Sequence, residues 1–251
     1  MENRLTSAKI KEIRSLQQKK FRSSLSMFVV EGEKMVEEAL SSGFEVESVW
    51  KRDEIGESNM ARISSLSSPS PILAVLRQKN LSLSDIDIKK GGLFLLLDGV
   101  KDPGNLGTII RLADWFGVSA VFCSEDCVEL YNPKTVQATM GAIFRVKVCY
   151  APLDKVIGIA EKKEIRTFGT FLDGQPVSDS FYDGIEEGGL VVLGSESFGI
   201  SDEVSGLIPR DRHILIPSYD KTGNVRKGGQ GSESLNVATA CAAILSLIRA
   251  R

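Results

Sequence analysis

Apolar residues at the start of the chain recur with helical spacing. Leu5, Ile10, Ile13 and Leu16 fall close to one face of a helix. The spacing predicts an N-terminal helix with a narrow apolar stripe and a basic outer face.

An α/β stretch with shorter apolar runs follows this helix. Glu33 to Ser42 predicts a helix that Gly43 ends. The serine-rich segment ISSLSSPSP predicts a loop, and the polar segment LSLSDIDIKKGG predicts a linker. The predicted strands are 27–30, 46–50 and 71–76.

From Gly92 onward the pattern alternates regularly. Short runs rich in Val, Ile, Leu and Phe alternate with helical patterns. The helical patterns are 105–116, 133–143 and 153–164, and an uncharged one at 234–248 follows the last run. Strands that are apolar on both faces and separated by helices predict a parallel sheet covered on both sides. Ligands bind such sheets at the carboxyl ends of the strands. The six runs are LFLLLD, SAVFCS, RVKVCY, IRTFGTFL, GLVVLG and HILIP.

The length fits either one large α/β domain or two ordinary ones, and the predicted linker favours two, which we place at 1–90 and 91–251. The chain has 251 residues, 42% of them apolar. No apolar run approaches the roughly 20 residues that span a bilayer, so we expect no membrane partner. The N-terminus lacks the apolar stretch of a secretory signal, which predicts a cytoplasmic protein. Four cysteines without a CxxC pattern, and a single histidine, argue against a metal site or disulfides and favour buried thiols.

Charge is distributed unevenly although the net charge is only −2. Residues 1–22 hold seven basic and two acidic side chains. This arm suits a nucleic-acid backbone, and a solvated amphipathic helix is the equal alternative.

The first strand end with unusual chemistry is LLLDGVKDPGNLGTIIRLADWFGV. Pro103-Gly104 predicts a tight turn, and Asn105 stands where a helix N-cap belongs. On the helical wheel Arg111 lies opposite the apolar stripe, beside Thr108 and Trp115. It is therefore either a solvated arginine or a group that serves RNA or a second subunit.

The second is LVVLGSESFGIS, in which two glycines have the spacing of a phosphate-binding loop. Ile200-Ser201 stands where Lys-Ser/Thr would be needed, and Glu196 would repel a phosphate. The segment is therefore either a plain strand-to-helix turn or a site for a ligand with hydroxyls, amines or a positive centre.

The third is HILIPSYDKTGNVRKGGQGSESLNVATA, in which a polar, glycine-rich loop follows Ile216-Pro217. Ser234 is predicted to cap the last helix, which leaves Asn236 in its first turn. An amide there needs hydrogen-bond partners in the protein or in a ligand. His213 is predicted to be structural.

Together these segments resemble the SpoU/TrmH family of RNA 2′-O-ribose methyltransferases, part of the SPOUT superfamily. The matching positions lie in three motifs. They are Asn105, Gly107 and Arg111; Leu190, Leu193, Gly194, Glu196 and Gly199; and Ile216, Pro217, Ser234, Leu235, Asn236, Val237 and Ala240. The front segment FVVEGEKMVEEALSSGFEVESVW is similar to the RNA-binding domain, itself like ribosomal proteins, that precedes the catalytic domain in many of these enzymes.

The resemblance implies a trefoil-knotted α/β domain, S-adenosylmethionine as cofactor, an RNA substrate (ribosomal RNA slightly favoured over tRNA) and a homodimer without metal. It assigns cofactor binding to five residues, Gly194, Ile216, Leu235, Thr170 and Gly199. It assigns the polar reaction site to Asn105, Arg111, Glu196, Ser234 and Asn236. An arginine is very hard to deprotonate, so we expect Arg111 to orient the ribose hydroxyl and not to act as its base.

One departure from the family pattern is the length of the third motif. Sixteen residues, 218–233, separate Pro217 from Ser234, where relatives have a few. They predict either a flap that grips RNA or a surface loop without a role in binding.

The sequence argues against two other functions. A non-catalytic RNA-binding protein that keeps the fold is disfavoured, because Asn105, Arg111, Glu196 and Asn236 are all retained. A nucleotide-dependent oxidoreductase is disfavoured because no G-x-G-x-x-G follows the first strand of the sheet.

Overall fold

The structure is a computed structural model that describes residues 5–177, 179–185, 188–225 and 234–250. The strands are β1 (Met27–Glu31), β2 (Val46–Lys51), β3 (Ile72–Arg77), β4 (Leu93–Asp98), β5 (Ala120–Cys123), β6 (Val148–Tyr150), β7 (Thr167–Pro176), β8 (Gly189–Gly194) and β9 (His213–Leu215). The helices are α1 (Ser7–Ser15), α2 (Lys19–Leu25), α3 (Glu33–Ser41), α4 (Arg52–Ile55), α5 (Glu57–Ile63), α6 (Pro103–Trp115), α7 (Pro133–Ala138), α8 (Leu153–Lys162), α9 (Asp179–Ile185), α10 (Asp202–Ser205) and α11 (Val237–Arg249).

Packing divides the chain into two compact units. The first unit consists of Met1–Asn80 and Glu129–Arg145, and the second of Leu81–Val128 and Val146–Arg251. This division differs from the predicted boundary between residues 90 and 91 in two segments. The predicted linker belongs to the second unit, where Ile86 and Ile88 enter the core, and the segment Glu129–Arg145 belongs to the first.

The first unit is built on a three-stranded antiparallel sheet in the order β1-β3-β2. Its three strands lie where the apolar runs predicted them. The predicted N-terminal stripe is confirmed, since Ile10, Ile13 and Leu16 are buried in the core of this unit with the β2 residue Trp50.

Glu129–Arg145 is held in the first unit by aromatic and polar contacts. The ring of Tyr131 lies 4.5 Å from that of Phe28, between centroids. The Tyr131 hydroxyl donates to the carbonyl of Lys79 at 2.6 Å and accepts from its N–H at 2.8 Å. Buried Arg22 forms an ion pair with Glu129. The helix predicted to run to residue 143 ends earlier, at Ala138.

The second unit contains a six-stranded sheet in the order β6-β5-β4-β8-β7-β9, and all its pairings are parallel. The parallel sheet is therefore confirmed. Phe94 and Leu96 of β4 pack with α8 on one face of the sheet. The alternate residues Leu95 and Leu97 are also fully buried, as expected for strands covered on both faces.

The cap of α6 differs from the prediction. The N-cap is Asp102, whose side chain accepts from the N–H of Asn105 at 2.8 Å, and the helix begins at Pro103. Proline suits the first helical position because its missing N–H would have no partner there. The prediction that Asn105 caps the helix is wrong, and its side chain is free for other contacts.

The cap of α11 also differs. Asn236 is the N-cap, and its side-chain oxygen accepts from the N–H groups of Ala238 at 3.0 Å and Thr239 at 3.3 Å. The prediction that Ser234 caps this helix is wrong, because asparagine is an equally good cap and stands directly before the first buried helical residue, Val237.

α11 carries no charged residue before Arg249, and its packing explains why. Its buried side chains include Cys241, Ile244 and Leu245, and the helix contacts both α6 and β8. The path from β9 to α11 includes 226–233, which lie outside the described residues, so the knot stays a prediction. No helix of the described part of the chain has the length and apolar character needed to cross a membrane.

Candidate active site

Two neighbouring strands of the sheet end at the same level. Asp98, the last residue of β4, pairs in register with Gly194, the last residue of β8. The Asp98 carboxylate accepts from the N–H of Ser201 at 2.8 Å. This bond ties the loop after β8 to the end of β4, at the edge where parallel sheets bind ligands.

The turn after β8 requires glycine at both ends. Ser195 and Gly199 exchange N–H to carbonyl hydrogen bonds of 3.0 and 2.9 Å, and Gly199 has φ +69°, the left-handed region. A Cβ on Gly194 would lie 2.0 Å from the carbonyl carbon of Gly199 and 2.2 Å from the nitrogen of Ile200. The turn therefore folds back directly onto the strand end.

A cavity of about 450 Å³ opens beside this turn. Its volume is in the range typical of small-molecule sites. The middle of β7, the ends of β8 and β9 and the start of α11 form its walls. The lining includes all five residues predicted to bind the cofactor, Thr170, Gly194, Gly199, Ile216 and Leu235, together with Glu196 and Ser234.

A chain of hydrogen bonds joins three of the predicted reaction-site residues. The side-chain amide of Asn105 donates to the carboxylate of Glu196. The side-chain amide of Asn236 donates to the Asn105 oxygen at 2.9 Å. Because the oxygen of Asn236 is held by the N-terminus of α11, the direction of this chain is fixed and ends on the Glu196 carboxylate.

Arg111 does not join this group. It is exposed on α6, and it does not line the cavity. Trp115, one turn further along the same face, is 83% exposed. The structure therefore brings together Asn105, Glu196 and Asn236, with Ser234 in the cavity wall, and leaves Arg111 facing outward.

Two buried thiols lie at and just after the end of β5, on Cys123 and Cys127. The sulfur of Cys127 accepts from the N–H of Val100, at 3.2 Å, just after β4. The hydrogen bond from Cys123 lowers the pKa of Cys127 to about 7 and is the main cause raising that of Cys123 well above its usual value. All four cysteines are free and buried, as predicted, and the described residues contain no cluster of metal-ligating side chains.

His213 is buried as a structural residue. Its ring stacks on that of Phe171 with centroids 3.7 Å apart, and its Nε2 lies 3.0 Å from the carbonyl oxygen of Ile208. Both neighbours belong to the second unit, and these contacts agree with the structural role predicted for it.

A second, smaller depression also borders the turn, and sequence reasoning missed it. We call it the side depression; its volume is about 250 Å³. Phe198 and Glu196 line both it and the cavity. The available signal was the position of Asp98 at a strand end and an aromatic residue at the tip of a glycine-flanked turn. The lining residues are Asp98, Gly99, Lys101, Asp126, Ser195, Glu196, Ser197, Phe198, Gly199 and Ser201.

Comparison with known proteins agrees with the family resemblance of the sequence motifs. The sequence profile of the SpoU rRNA Methylase family matches residues 92–246, and that of the MRM3-like substrate binding domain matches residues 7–85. The 23S rRNA (guanosine(2553)-2′-O)-methyltransferase RlmP of Bacillus subtilis is 29% identical over 96% of both chains.

Solved structures agree with this match. A TrmH-family protein from Porphyromonas gingivalis is 34% identical, with a TM-score of 0.80 over 99% of both chains. An AdoMet-bound rRNA methyltransferase from Sinorhizobium meliloti is 27% identical, with a TM-score of 0.83 over 98% of this chain and 96% of that one.

Proposed function

Since the chain belongs to the SpoU rRNA methylase family, we propose that it transfers a methyl group from S-adenosylmethionine to a ribose 2′-hydroxyl of ribosomal RNA. The observation that carries this proposal is the chain Asn236–Asn105–Glu196, whose last member, Glu196, lines the cavity. It joins polar side chains from three separate motifs beside a site large enough for a nucleoside. A non-catalytic RNA-binding protein would have no need of that arrangement.

The cavity fits S-adenosylmethionine, which when bound supplies an electrophilic methyl group. Its walls combine apolar side chains such as Ile216 and Leu235 with backbone at the ends of β8 and β9. The absence of a Cβ at Gly194 keeps the turn close to the strand end. We propose that Thr170, Gly194, Gly199, Ile216 and Leu235 hold the cofactor.

We assign the polar chain and Ser234 to the ribose. Asn105, itself held by Asn236, donates to the Glu196 carboxylate and orients it, which fixes an acceptor for a ribose hydroxyl in the cavity wall. Holding the two reactants in line supplies about 7 kcal/mol or more of the barrier reduction. The residues of this chain thus act mainly by positioning.

Arg111 is proposed to act across a homodimer. It is exposed on a face of α6 that also carries Trp115 and Thr108, so a second copy of the chain could receive it. There its guanidinium would orient the hydroxyl and stabilise developing negative charge, while a phosphate of the RNA accepts the proton. Sedimentation measures the oligomeric state, and a monomer that methylates RNA would contradict this role.

The first unit is proposed to bind RNA. Its profile match is to a substrate-binding domain, and its N-terminal helices carry the excess of basic residues. The cytoplasm is the proposed location, because the similar protein from Bacillus subtilis acts on a bacterial ribosomal RNA.

Cofactor binding and methyl transfer test the proposed activity together. We expect calorimetry to detect binding of S-adenosylmethionine and not of NAD, and labelled methyl groups to pass to unmodified ribosomal RNA. Comparison of 2′-O-methyl sites in RNA from wild-type and deletion strains would identify the nucleotide. RNA binding without methyl transfer would favour the non-catalytic alternative.

A further inference from the structure

Phe198 is an exposed aromatic residue on a rigid support. Its side chain is 89% exposed, yet its N–H donates to the Ser195 hydroxyl at 3.2 Å. The Ser195–Gly199 hydrogen bonds hold the turn on both sides of it. The backbone that carries the ring is thus fixed, while the ring has no aromatic partner among the described residues.

The position of Phe198 relates it to the reacting nucleotide. In a nucleotide the 2′-oxygen is bonded to C2′, and the base is bonded to the adjacent carbon C1′. A base must therefore lie close to whatever holds its own 2′-hydroxyl. Glu196, at the end of the polar chain, is two residues from Phe198 in the same turn, and both line the cavity and the side depression.

The aromatic residues around the site differ in their availability. Phe171 also lines the cavity, but its ring is stacked on His213. Phe198 alone of these two presents an open face. RNA-modifying and RNA-binding proteins stack unpaired bases on exposed aromatic rings, because a base taken out of its helix loses its own stacking partners.

We propose that Phe198 stacks on the base of the nucleotide that is methylated, and that the side depression receives this base. The inference rests on the proposed function and extends it with a base-binding site. Phe198 is a positioning residue in this scheme, because it places the ribose and takes no part in bond making.

The charges of the side depression favour a base over a phosphate. Its walls carry the carboxylates of Asp98, Asp126 and Glu196 and a single cation, Lys101. The Lys101 ammonium lies 3.7 Å from the Asp126 carboxylate. Carboxylates accept from the N–H groups on base edges and repel phosphate oxygens.

Three substitutions of Phe198 separate stacking from apolar bulk. Phe198→Ala removes the ring, Phe198→Leu keeps apolar volume without a π face, and Phe198→Trp keeps the π face. Leu207→Ala, at a 39% exposed apolar residue of the second unit that lines neither the cavity nor the side depression, is the control. Methyl transfer to unmodified large-subunit rRNA transcribed in vitro is measured against RNA concentration, and affinity for S-adenosylmethionine by calorimetry.

We expect the Ala and Leu variants to raise the KM for RNA about tenfold, which is what loss of one stacked base produces. The Trp variant should stay within about threefold of wild type, since tryptophan stacks at least as well. Cofactor affinity should change less than about twofold in every variant, and Leu207→Ala should resemble wild type.

Other results would overturn the assignment. Wild-type kinetics in Phe198→Leu would mean that apolar bulk suffices, and a proportional loss of cofactor affinity would mean that Phe198 covers the cofactor. A changed oligomeric state in sedimentation would place Phe198 against a second copy. In each case active wild-type protein leaves the proposed function standing, whereas wild-type protein that methylates no RNA removes both.

Discussion

Asn236 caps α11 and also orients Asn105, and different substitutions remove these two roles separately. Its side-chain oxygen caps α11, and its side-chain nitrogen donates to Asn105 at 2.9 Å. Asn236→Asp keeps the cap, since aspartate is as good a cap as asparagine and its charge suits a helix N-terminus. It removes the donor, however. The side-chain amide of Asn105 then lies between two carboxylates, that of Glu196 and the one introduced at position 236.

The expected magnitudes follow from these contacts. Asn236→Ala loses a cap worth about 1 kcal/mol and a hydrogen bond worth about 1 kcal/mol, so the free energy of unfolding should fall by about 2 kcal/mol. At roughly 2–4 °C per kcal/mol for a protein of this size, Tm should fall by about 4–8 °C. Asn236→Asp should cost about 1 kcal/mol or less.

Methyl transfer should not follow the same order as stability. Single-turnover rates with labelled S-adenosylmethionine should fall about tenfold or more in both variants, because neither one orients Asn105 toward Glu196. Thermal unfolding of the same samples measures the other quantity. Wild-type methylation by Asn236→Asp would refute the orienting role of the polar chain, and an unchanged Tm for Asn236→Ala would refute the cap.

Further substitutions test separate parts of the structure. Gly194→Ala should weaken S-adenosylmethionine binding tenfold or more in calorimetry, because the added Cβ would lie 2.0 Å from a backbone atom. The control is Gly158→Ala, where no atom lies within 4 Å of the added Cβ. Equal affinities of the two variants would contradict the turn geometry. Arg111→Lys keeps the charge but loses the planar fork, so methylation should slow about tenfold with unchanged Tm, and a wild-type rate would remove its orienting role. Tyr131→Phe should lower the free energy of unfolding in urea by about 1–2 kcal/mol, because the hydroxyl of this buried tyrosine makes two partly buried hydrogen bonds with the backbone of Lys79. Tyr219→Phe, at a 54% exposed residue, should change it little, and equal effects would contradict this contact.

The strands were predictable because their signal is local. Runs such as LFLLLD and GLVVLG are apolar on both faces, and the structure buries both faces of β4. The cap positions could not be predicted in this way, because each helix offers two good capping residues. These are Asp102 and Asn105 for α6, and Ser234 and Asn236 for α11. Local preference cannot choose between them, and the contact between Asn236 and Asn105 spans 131 residues of sequence.

The division into two units also could not be predicted from local sequence patterns. Nothing in the sequence of the segment Glu129–Arg145 distinguishes it from the other connections between strands of the sheet. Its place depends on Tyr131 reaching Lys79 and Phe28, residues far earlier in the chain. The side depression was missed for a related reason, since Asp98 and Phe198 belong to different strand ends.

The discontinuity of the first unit has a consequence for synthesis. The ribosome releases Met1–Asn80 first, but Glu129–Arg145 emerges only after β4, α6 and β5 have been made. Until then Arg22 lacks the carboxylate of Glu129, and an unpaired charge in a buried position is strongly destabilising. We therefore expect a nascent chain that stops at residue 128 to hold a first unit less stable than that of the full chain.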